Sequence, residues 1–410
     1  MTDHSAATDG DPAPGFLTGF SLLLPITLST MAIVLLAPIL PQLLADFSTV
    51  PAHEYWVPMI LTIPALCVAF FSPLAGMLGD RFGRRRLLLL AFLLYALVGI
   101  APIFLKSLPA ILLSRVGVGL AEAAIMVLST TMIGDYYRGA ARDKWLAAQT
   151  AFASLSALLF FNLGGQLGAF GWRTPFWAYA SALVMFALVL RFTWEPRGDA
   201  AARATVVGDG NGWAGFPWRR MAMILAITVY GSVFFYTVQI QASSGLHALG
   251  LSDPARIGFL TSVASIGVPL GTFLYSRIGR WPIGRLLLLE FALLAAGFCV
   301  MGLAHAPAGF LIGCFLNQLG AGLLLPTLLV WAMSLLSFEI RGRGAGLWQS
   351  AFAFGQFLSP VIVTLLSKQA GSLAGAFVLL SLGALAGAVA ALVAPFRRGE
   401  QPVGGAIVHG

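Results

Sequence analysis

The chain has 410 residues, of which 59% are hydrophobic and only 10% charged, with a formal net charge of +8 and a mean hydropathy of +0.88. A soluble domain carries about a quarter charged residues and uses them to cover its surface. Composition therefore excludes a soluble enzyme, a disordered chain and a disulfide-built secreted domain, and leaves a polytopic membrane protein.

In chain order, residues 1–15 contain no Lys or Arg, so they lack the basic start of a cleaved signal and are expected to form a short cytoplasmic tail. A spanning helix needs about 20 mostly apolar residues. Six such runs follow, at 16–44, 54–77, 87–105, 109–133, 145–170 and 174–194. A stretch rich in glycine, alanine and charge, 195–217, reads as a linker. Six more runs lie at 218–245, 255–276, 282–304, 307–336, 343–367 and 371–396, and 397–410 forms a second tail. Lipid forces every run to be helical, because each backbone polar group must be satisfied within its own segment. Kinks are expected at Pro25 and Pro38 in the first run, Pro326 in the tenth and Pro360 in the eleventh. The fold class that follows is an all-α membrane protein of twelve transmembrane helices. The blocks 16–194 and 218–396 each hold six of them, so two pseudo-symmetric six-helix bundles are expected.

Charge sets the orientation. Of the 24 Lys and Arg residues, 19 fall in one set of loops and tails; only Lys106, Arg173, Arg256 and Lys368 fall in the other, and Arg115 lies inside a run. The excess predicts that both termini are cytoplasmic. The basic residues are thus a topology signal, and no nucleic-acid partner is expected, since no basic patch is interleaved with exposed aromatics. Cys67, Cys299 and Cys314 lie within apolar runs and read as small buried hydrophobes. No metal and no cofactor is expected: the five histidines show no ligand spacing, and neither a phosphate-binding nor a dinucleotide loop is present. Trp56, Trp172, Trp177 and Trp281 lie near run ends and read as interfacial anchors.

Residues 76–88 read Gly-Met-Leu-Gly-Asp-Arg-Phe-Gly-Arg-Arg-Arg-Leu-Leu. This segment resembles the signature loop between helices 2 and 3 of the major facilitator superfamily, G-x-L-x-D-R-x-G-R-R. Run count, half-repeat and loop position agree with that family over residues 16–396. The resemblance implies a transporter rather than an enzyme, working by alternating access, with this loop latching the cytoplasmic side. Gly76, Asp80, Arg81, Gly83 and Arg84 are then gating residues. Gly76 is expected to allow close helix approach, and Asp80 to pair with Arg81, Arg84 or a basic residue of another loop. The second half carries an echo, Gly271 to Arg280, one residue longer and with Tyr275 in place of the acid; an asymmetric latch is expected. Arg115-Val-Gly-Val-Gly119 looks like the family's R-x-x-x-G pattern, which is associated with proton coupling. The segment from Arg341 to Trp348 resembles the basic turn many members carry after helix 10, and Arg341 joins the gating set. One departure stands out: antiporters of the family often carry G-P-x-x-G-G in helix 5, where this chain reads Phe160-Phe161-Asn162-Leu163-Gly164-Gly165.

Ionisable residues inside spans are costly and are functional candidates by default. Glu122 lies near the middle of run 4, with Arg115 seven residues earlier, nearly two turns, so both are expected on one face of the helix about 10 Å apart along the axis. Burial disfavours the carboxylate and Arg115 favours it, so alternating access of water to Glu122 would couple a proton to the cycle. Glu122 and Arg115 are the candidate proton-coupling pair; the bland alternative is a fixed contact that only orients helices. Glu290, nearer the end of run 9, is expected to snorkel or to pair with Arg285. In the family, helices 1, 4, 7 and 10 line a central cavity. The candidate substrate site therefore comprises Thr27, Thr30, Glu122, Met126, Asn162, Asn317 and Gln318, with a stripe on run 7 of Tyr230, Phe234, Thr237 and Gln241 spaced 4, 3 and 4. For each polar residue an interhelical hydrogen bond is the competing explanation.

The resulting expectation is a monomeric secondary transporter in a bacterial inner membrane. Its expected partners are a small molecule, protons and the lipid bilayer. Proton-coupled efflux of apolar or cationic compounds leads, because the presumed cavity helices are apolar and aromatic. Import or facilitation of a small metabolite is the alternative that the altered helix-5 segment favours. A non-transporting membrane sensor comes last, since the linker and tails are too short for a signalling domain.

Overall fold

The computed structural model describes residues 14–195, 216–336 and 341–393. The linker and both tails of the sequence reading lie almost wholly outside these residues. Among them the chain is helical throughout, with twelve helices long and apolar enough to cross a membrane. In order these are span 1 (Phe16–Asp46), span 2 (His53–Phe82), span 3 (Arg84–Ile103), span 4 (Leu108–Tyr136), span 5 (Gly139–Gly168) and span 6 (Thr174–Phe192). The second set is span 7 (Trp218–Ala248), span 8 (Pro254–Ile278), span 9 (Ile283–Leu303), span 10 (Pro307–Ser334), span 11 (Arg343–Ala370) and span 12 (Leu373–Val393).

Burial divides the helices into two bundles. One apolar core draws on residues 22–189, joined by Ile240; the other draws on residues 216–391. Span 9 packs against spans 10 and 12 inside the second bundle, and span 4 against spans 2 and 3 inside the first. The bundles meet along two seams, span 2 on span 11 and span 5 on span 8.

Proline shapes span 1 as expected. It breaks at Pro25 between helices Phe16–Leu23 and Ile26–Val34, and passes through a 3-10 turn, Ala37–Ile39, that holds Pro38. Inside the first break the Leu24 carbonyl accepts both the backbone N–H of Thr27 (2.9 Å) and its hydroxyl (2.7 Å). Pro326 and Pro360 sit within helices that continue unbroken through them. Span 8 is interrupted at Ile266, at the turn that Pro269 disrupts by lacking an N–H for the Ser265 carbonyl. Trp56, Trp177 and Trp281 are exposed, but Trp172 is buried and its Nε1 donates to Asp46 at 3.1 Å, so it staples span 1 to the start of span 6 rather than anchoring at an interface. Cys67 and Cys314 are buried, whereas Cys299 is exposed: its run is apolar on every side and one of those sides is the outer surface.

With an even number of spans, both ends of the described chain lie on one face of the bundle, the terminal side. The opposite face is the far side. Among the described residues, hydrogen bonds between the two bundles run from just on the terminal side of mid-depth out to the far side. Ser350 donates to the Ala69 carbonyl (2.9 Å) and Ser262 to that of Leu158 (3.0 Å). Ser243 donates to the carbonyl of Ala37, and Thr364 to that of Glu54 (3.1 Å). Lys368 also pairs with the Glu54 carboxylate. The approach of span 5 to span 8 is backbone-close: a Cβ on Gly165 would press on the carbonyl of Pro254 and on Gly258. A Cβ on Gly164 would press on the Leu35 carbonyl. Gly165 thus closes the two bundles together on the far side, while Gly164 packs span 5 on span 1 within the first bundle. Spans 4 and 10, by contrast, share no extended packing among the described residues.

Candidate functional site

A cavity of about 200 Å³ lies at mid-depth between the bundles. Span 1 lines it with Ser29, Thr30, Ile33 and Val34, and span 5 with Ala153, Ser154 and Ala157. The second bundle contributes Phe235, Tyr236 and Gln239 of span 7, Ser265 and Val268 of span 8, Leu325 of span 10 and Phe352 of span 11. One wall is small and weakly polar. The other is aromatic: the rings of Tyr236 and Phe352 lie 5.3 Å apart, those of Phe235 and Phe352 5.9 Å, and Trp348 stacks on Phe352 from behind at 5.5 Å.

Glu122 stands behind the small wall. It is 3% exposed, and its Oε2 has no protein hydrogen-bond partner. The group that interacts with its carboxyl from the cavity side is the Ser29 hydroxyl. Arg115 and the Tyr236 phenol are within electrostatic range, with no direct ion pair to Arg115. Arg115 is fully buried, away from the cavity. Its Nη2 donates to the carbonyls of Val98 and Gly99 at 3.1 Å each, and its guanidinium lies 5.1 and 4.9 Å from the rings of Phe176 and Tyr179. Carbonyls at the end of a helix and aromatic faces are what a buried cation without a counter-ion requires. The expectation that Arg115 and Glu122 share one face holds only loosely: Arg115 is locked into the first bundle, while Glu122 neighbours the cavity.

The remaining candidates divide. Thr30 lines the cavity. Thr27 is committed to the break in its own span. Met126 and Asn162 are half-buried on spans 4 and 5 and do not line the cavity. The span 7 stripe corrects as follows. The Tyr230 hydroxyl donates to the Gly383 carbonyl (2.6 Å), and Phe234 packs on Phe291 and Phe298. Both therefore face spans 9 and 12 instead of the cavity. Thr237 is buried against Ser359 of span 11 at 3.1 Å, and Gln241 is buried away from the cavity lining. The cavity face of span 7 is the adjacent stripe of Phe235, Tyr236 and Gln239. Sequence spacing offered no choice between them, because both stripes mix aromatic and polar residues. Asn317 and Gln318 are fully buried, and Gln318 accepts from the Gln239 side chain at 2.6 Å. Ser29, Gln239 and Phe352 were not singled out from the sequence.

The gating candidates gather at the terminal side. Arg84 bridges two acids: Nη2 reaches Asp80 and Nη1 reaches Asp135 of span 4, each at 2.6 Å. Arg81 instead leans over the Phe82 ring, 5.4 Å from its centroid. Gly83 turns the chain between spans 2 and 3 with φ +98, a conformation that side chains disfavour. The Glu195 carboxylate sits against Gly83 and accepts the backbone N–H groups of Arg85 (3.2 Å) and Arg86 (3.4 Å), neutralising the positive end of span 3. Gly76 is not the close-approach glycine expected: a Cβ there would meet Val127 at an ordinary 3.6 Å. In the second half Tyr275 packs on Gly279, and Arg277 and Arg280 have no acidic partner among the described residues. The Arg341 side chain lies outside the described residues.

A sequence profile of the Major Facilitator Superfamily matches residues 22–360. The chain belongs to that superfamily. It is 26% identical over 335 residues to the uncharacterized MFS-type transporter YceJ of Bacillus subtilis, covering 78% of this chain and 82% of that one. It is 28% identical over 329 residues to the class G tetracycline resistance protein of Vibrio anguillarum, covering 73% and 77%. Among solved structures, a bacterial homologue of the human lysosomal transporter Spinster, inward-facing and unoccupied, superposes with a TM-score of 0.71 at 18% identity, over 94% of this chain and 96% of that one. A D-xylose–proton symporter superposes with a TM-score of 0.69 at 16% identity, over 89% and 97%. As a superfamily member the protein is a multi-pass membrane transporter for a small molecule, and its fold is the one that the run count and the loop after span 2 implied.

Proposed function

We propose that the protein is a proton-coupled exporter of small apolar or cationic compounds, acting as a monomer in a bacterial inner membrane. The arginine-rich loops support a cytoplasmic terminal side. The seal of spans 1, 2, 5, 7, 8 and 11 then faces outward, and the cavity is reached from inside the cell. One observation carries the coupling: Glu122 is buried at mid-depth with an unpartnered oxygen, one hydroxyl away from the cavity. An isolated carboxylate in this setting has no counter-charge in contact, so it gains a proton when dry and yields it when water or a cationic ligand arrives. Arg115, fixed by its carbonyls and rings, tilts that balance without neutralising the acid. The likeness to the class G tetracycline resistance protein supports the outward direction. The altered helix-5 segment supports the alternative, import by symport, and the direction of flux separates the two.

The test is transport in proteoliposomes under an imposed pH gradient. Glu122→Gln is expected to abolish gradient-driven accumulation while the purified protein stays folded and still binds ligand. If gradient-driven accumulation persists in that variant, the proton is carried elsewhere and the proposal fails.

A further inference from the structure

Gln239 lines the cavity at 5% exposure and is tied to a chain of amides behind the wall. Its Nε2 donates to Gln318 Oε1 at 2.6 Å. Gln318 in turn points its Nε2 at the Phe235 carbonyl (3.4 Å) and at Asn317 Oδ1 (3.3 Å). An amide turned end for end keeps its shape, so the direction of such a chain must be argued from a fixed group. The Phe235 carbonyl is that group. It can only accept, so it requires the amino end of Gln318. The carbonyl end of Gln318 must then face Gln239, and Gln239 must offer its amino end. What remains on Gln239 is Oε1, buried and without a protein partner. The relay thus leaves a bare acceptor on a residue of the cavity wall and engages its Nε2 with Gln318.

The second unpartnered acceptor nearby is Glu122 Oε2, behind Ser29. Opposite stand the rings of Tyr236, Phe235 and Phe352, whose faces attract flat apolar groups and cations. No Lys or Arg lines the cavity. We infer that the site selects a small aromatic ammonium by the hydrogens on its nitrogen, with Gln239 as the specificity-determining residue and Gln318 as the residue that positions it. This rests on the transport reading above and narrows its substrate class. A ligand without N–H leaves the Gln239 acceptor unpaired in a dry site, which a buried polar group tolerates poorly. A ligand with N–H satisfies it while its ring lies on the aromatic wall.

The experiment uses two probes of equal ring and charge, 2-phenylethylammonium and its N,N,N-trimethyl analogue, titrated calorimetrically into the full chain in nanodiscs at neutral pH. The primary ammonium is expected to bind about tenfold more tightly. Gln239→Met, which takes the unpaired acceptor away, should remove that preference by raising the affinity for the trimethyl probe toward that for the primary ammonium. Gln239→Glu, which keeps an acceptor, should preserve the preference, and Phe352→Leu should weaken both probes alike. Equal affinities in the unaltered protein overturn the inference even where a variant fails to fold, and so does a preference that survives in Gln239→Met. Binding of neither probe overturns it as well. Proton-driven flux of another cation in proteoliposomes then shows that the transport reading stands without it, and absence of any such flux removes both.

Discussion

Two carboxyl groups lie deep in the bundles, and their surroundings assign them different work. Glu122 neighbours the cavity. Glu290 is fully buried between spans 9 and 10, where the Thr327 hydroxyl donates to its Oε1 and Oε2 has no partner. It neither snorkels nor pairs with Arg285, because a side chain at 290 projects into the contact with span 10 rather than along its own helix toward water. A structural acid of this kind needs its shape and its acceptor, not its charge. Glu290→Gln is therefore expected to leave thermal stability within about 1 kcal/mol, while Thr327→Val, which removes the donor, should cost about that much. Melting of the purified variants in detergent checks this. A loss in Glu290→Gln as large as in Glu290→Ala would show that a charge is required. The depth of both acids was legible in the sequence, since residue number along a span measures distance through the membrane. The direction each one faces was not: a span is apolar both toward lipid and toward its neighbours, so it carries no stripe to mark its inner face.

At the scale of elements, the loop between spans 2 and 3 works as a clamp on four helix ends. Arg84 at the start of span 3 holds Asp80 of span 2 and Asp135 of span 4, and Glu195, just beyond span 6, accepts from the first amides of span 3. The loop's own residues were legible because their spacing is a recognisable motif. Asp135 and Glu195 were not, since they lie 51 and 110 positions from their partners and no local pattern joins residues so far apart. The Asp80 carboxylate is the more exposed of the two acids on Arg84, with 58% of its side-chain surface accessible against 12% for Asp135. Removing it leaves the Asp135 contact in place and loosens only the link to span 2. Asp80→Asn is thus expected to lower turnover several-fold in proteoliposomes while ligand affinity stays within about twofold, as befits a group that biases a conformational equilibrium from outside the site. A fall in affinity matching the fall in turnover would place Asp80 in the binding path and remove the clamp from the mechanism.

For the whole molecule, what matters is which contacts must break for the cavity to change sides. The seal on the far side combines backbone-close glycine packing between spans 5 and 8 with serine and threonine hydrogen bonds to facing carbonyls and one cross-bundle ion pair. These differ in how they respond to mutation. The glycine contact is steric, and any side chain there would wedge the bundles apart. The ion pair is peripheral: Lys368 is half exposed, pairs with Glu54 and lies over the Tyr55 ring at 4.5 Å. It adjusts the balance between states without creating either, because an exposed pair is screened by solvent. Lys368→Met is accordingly expected to shift the population a few-fold toward the state open on the far side, and Gly165→Val to shift it much further. Spin labels on the far-side ends of spans 2 and 11 would report both as longer distances, with the Lys368→Met shift reproduced in the unaltered protein by high salt. If Lys368→Met leaves the distance distribution unchanged, and salt does too, the seal is held by packing alone and the ion pair has no part in the cycle.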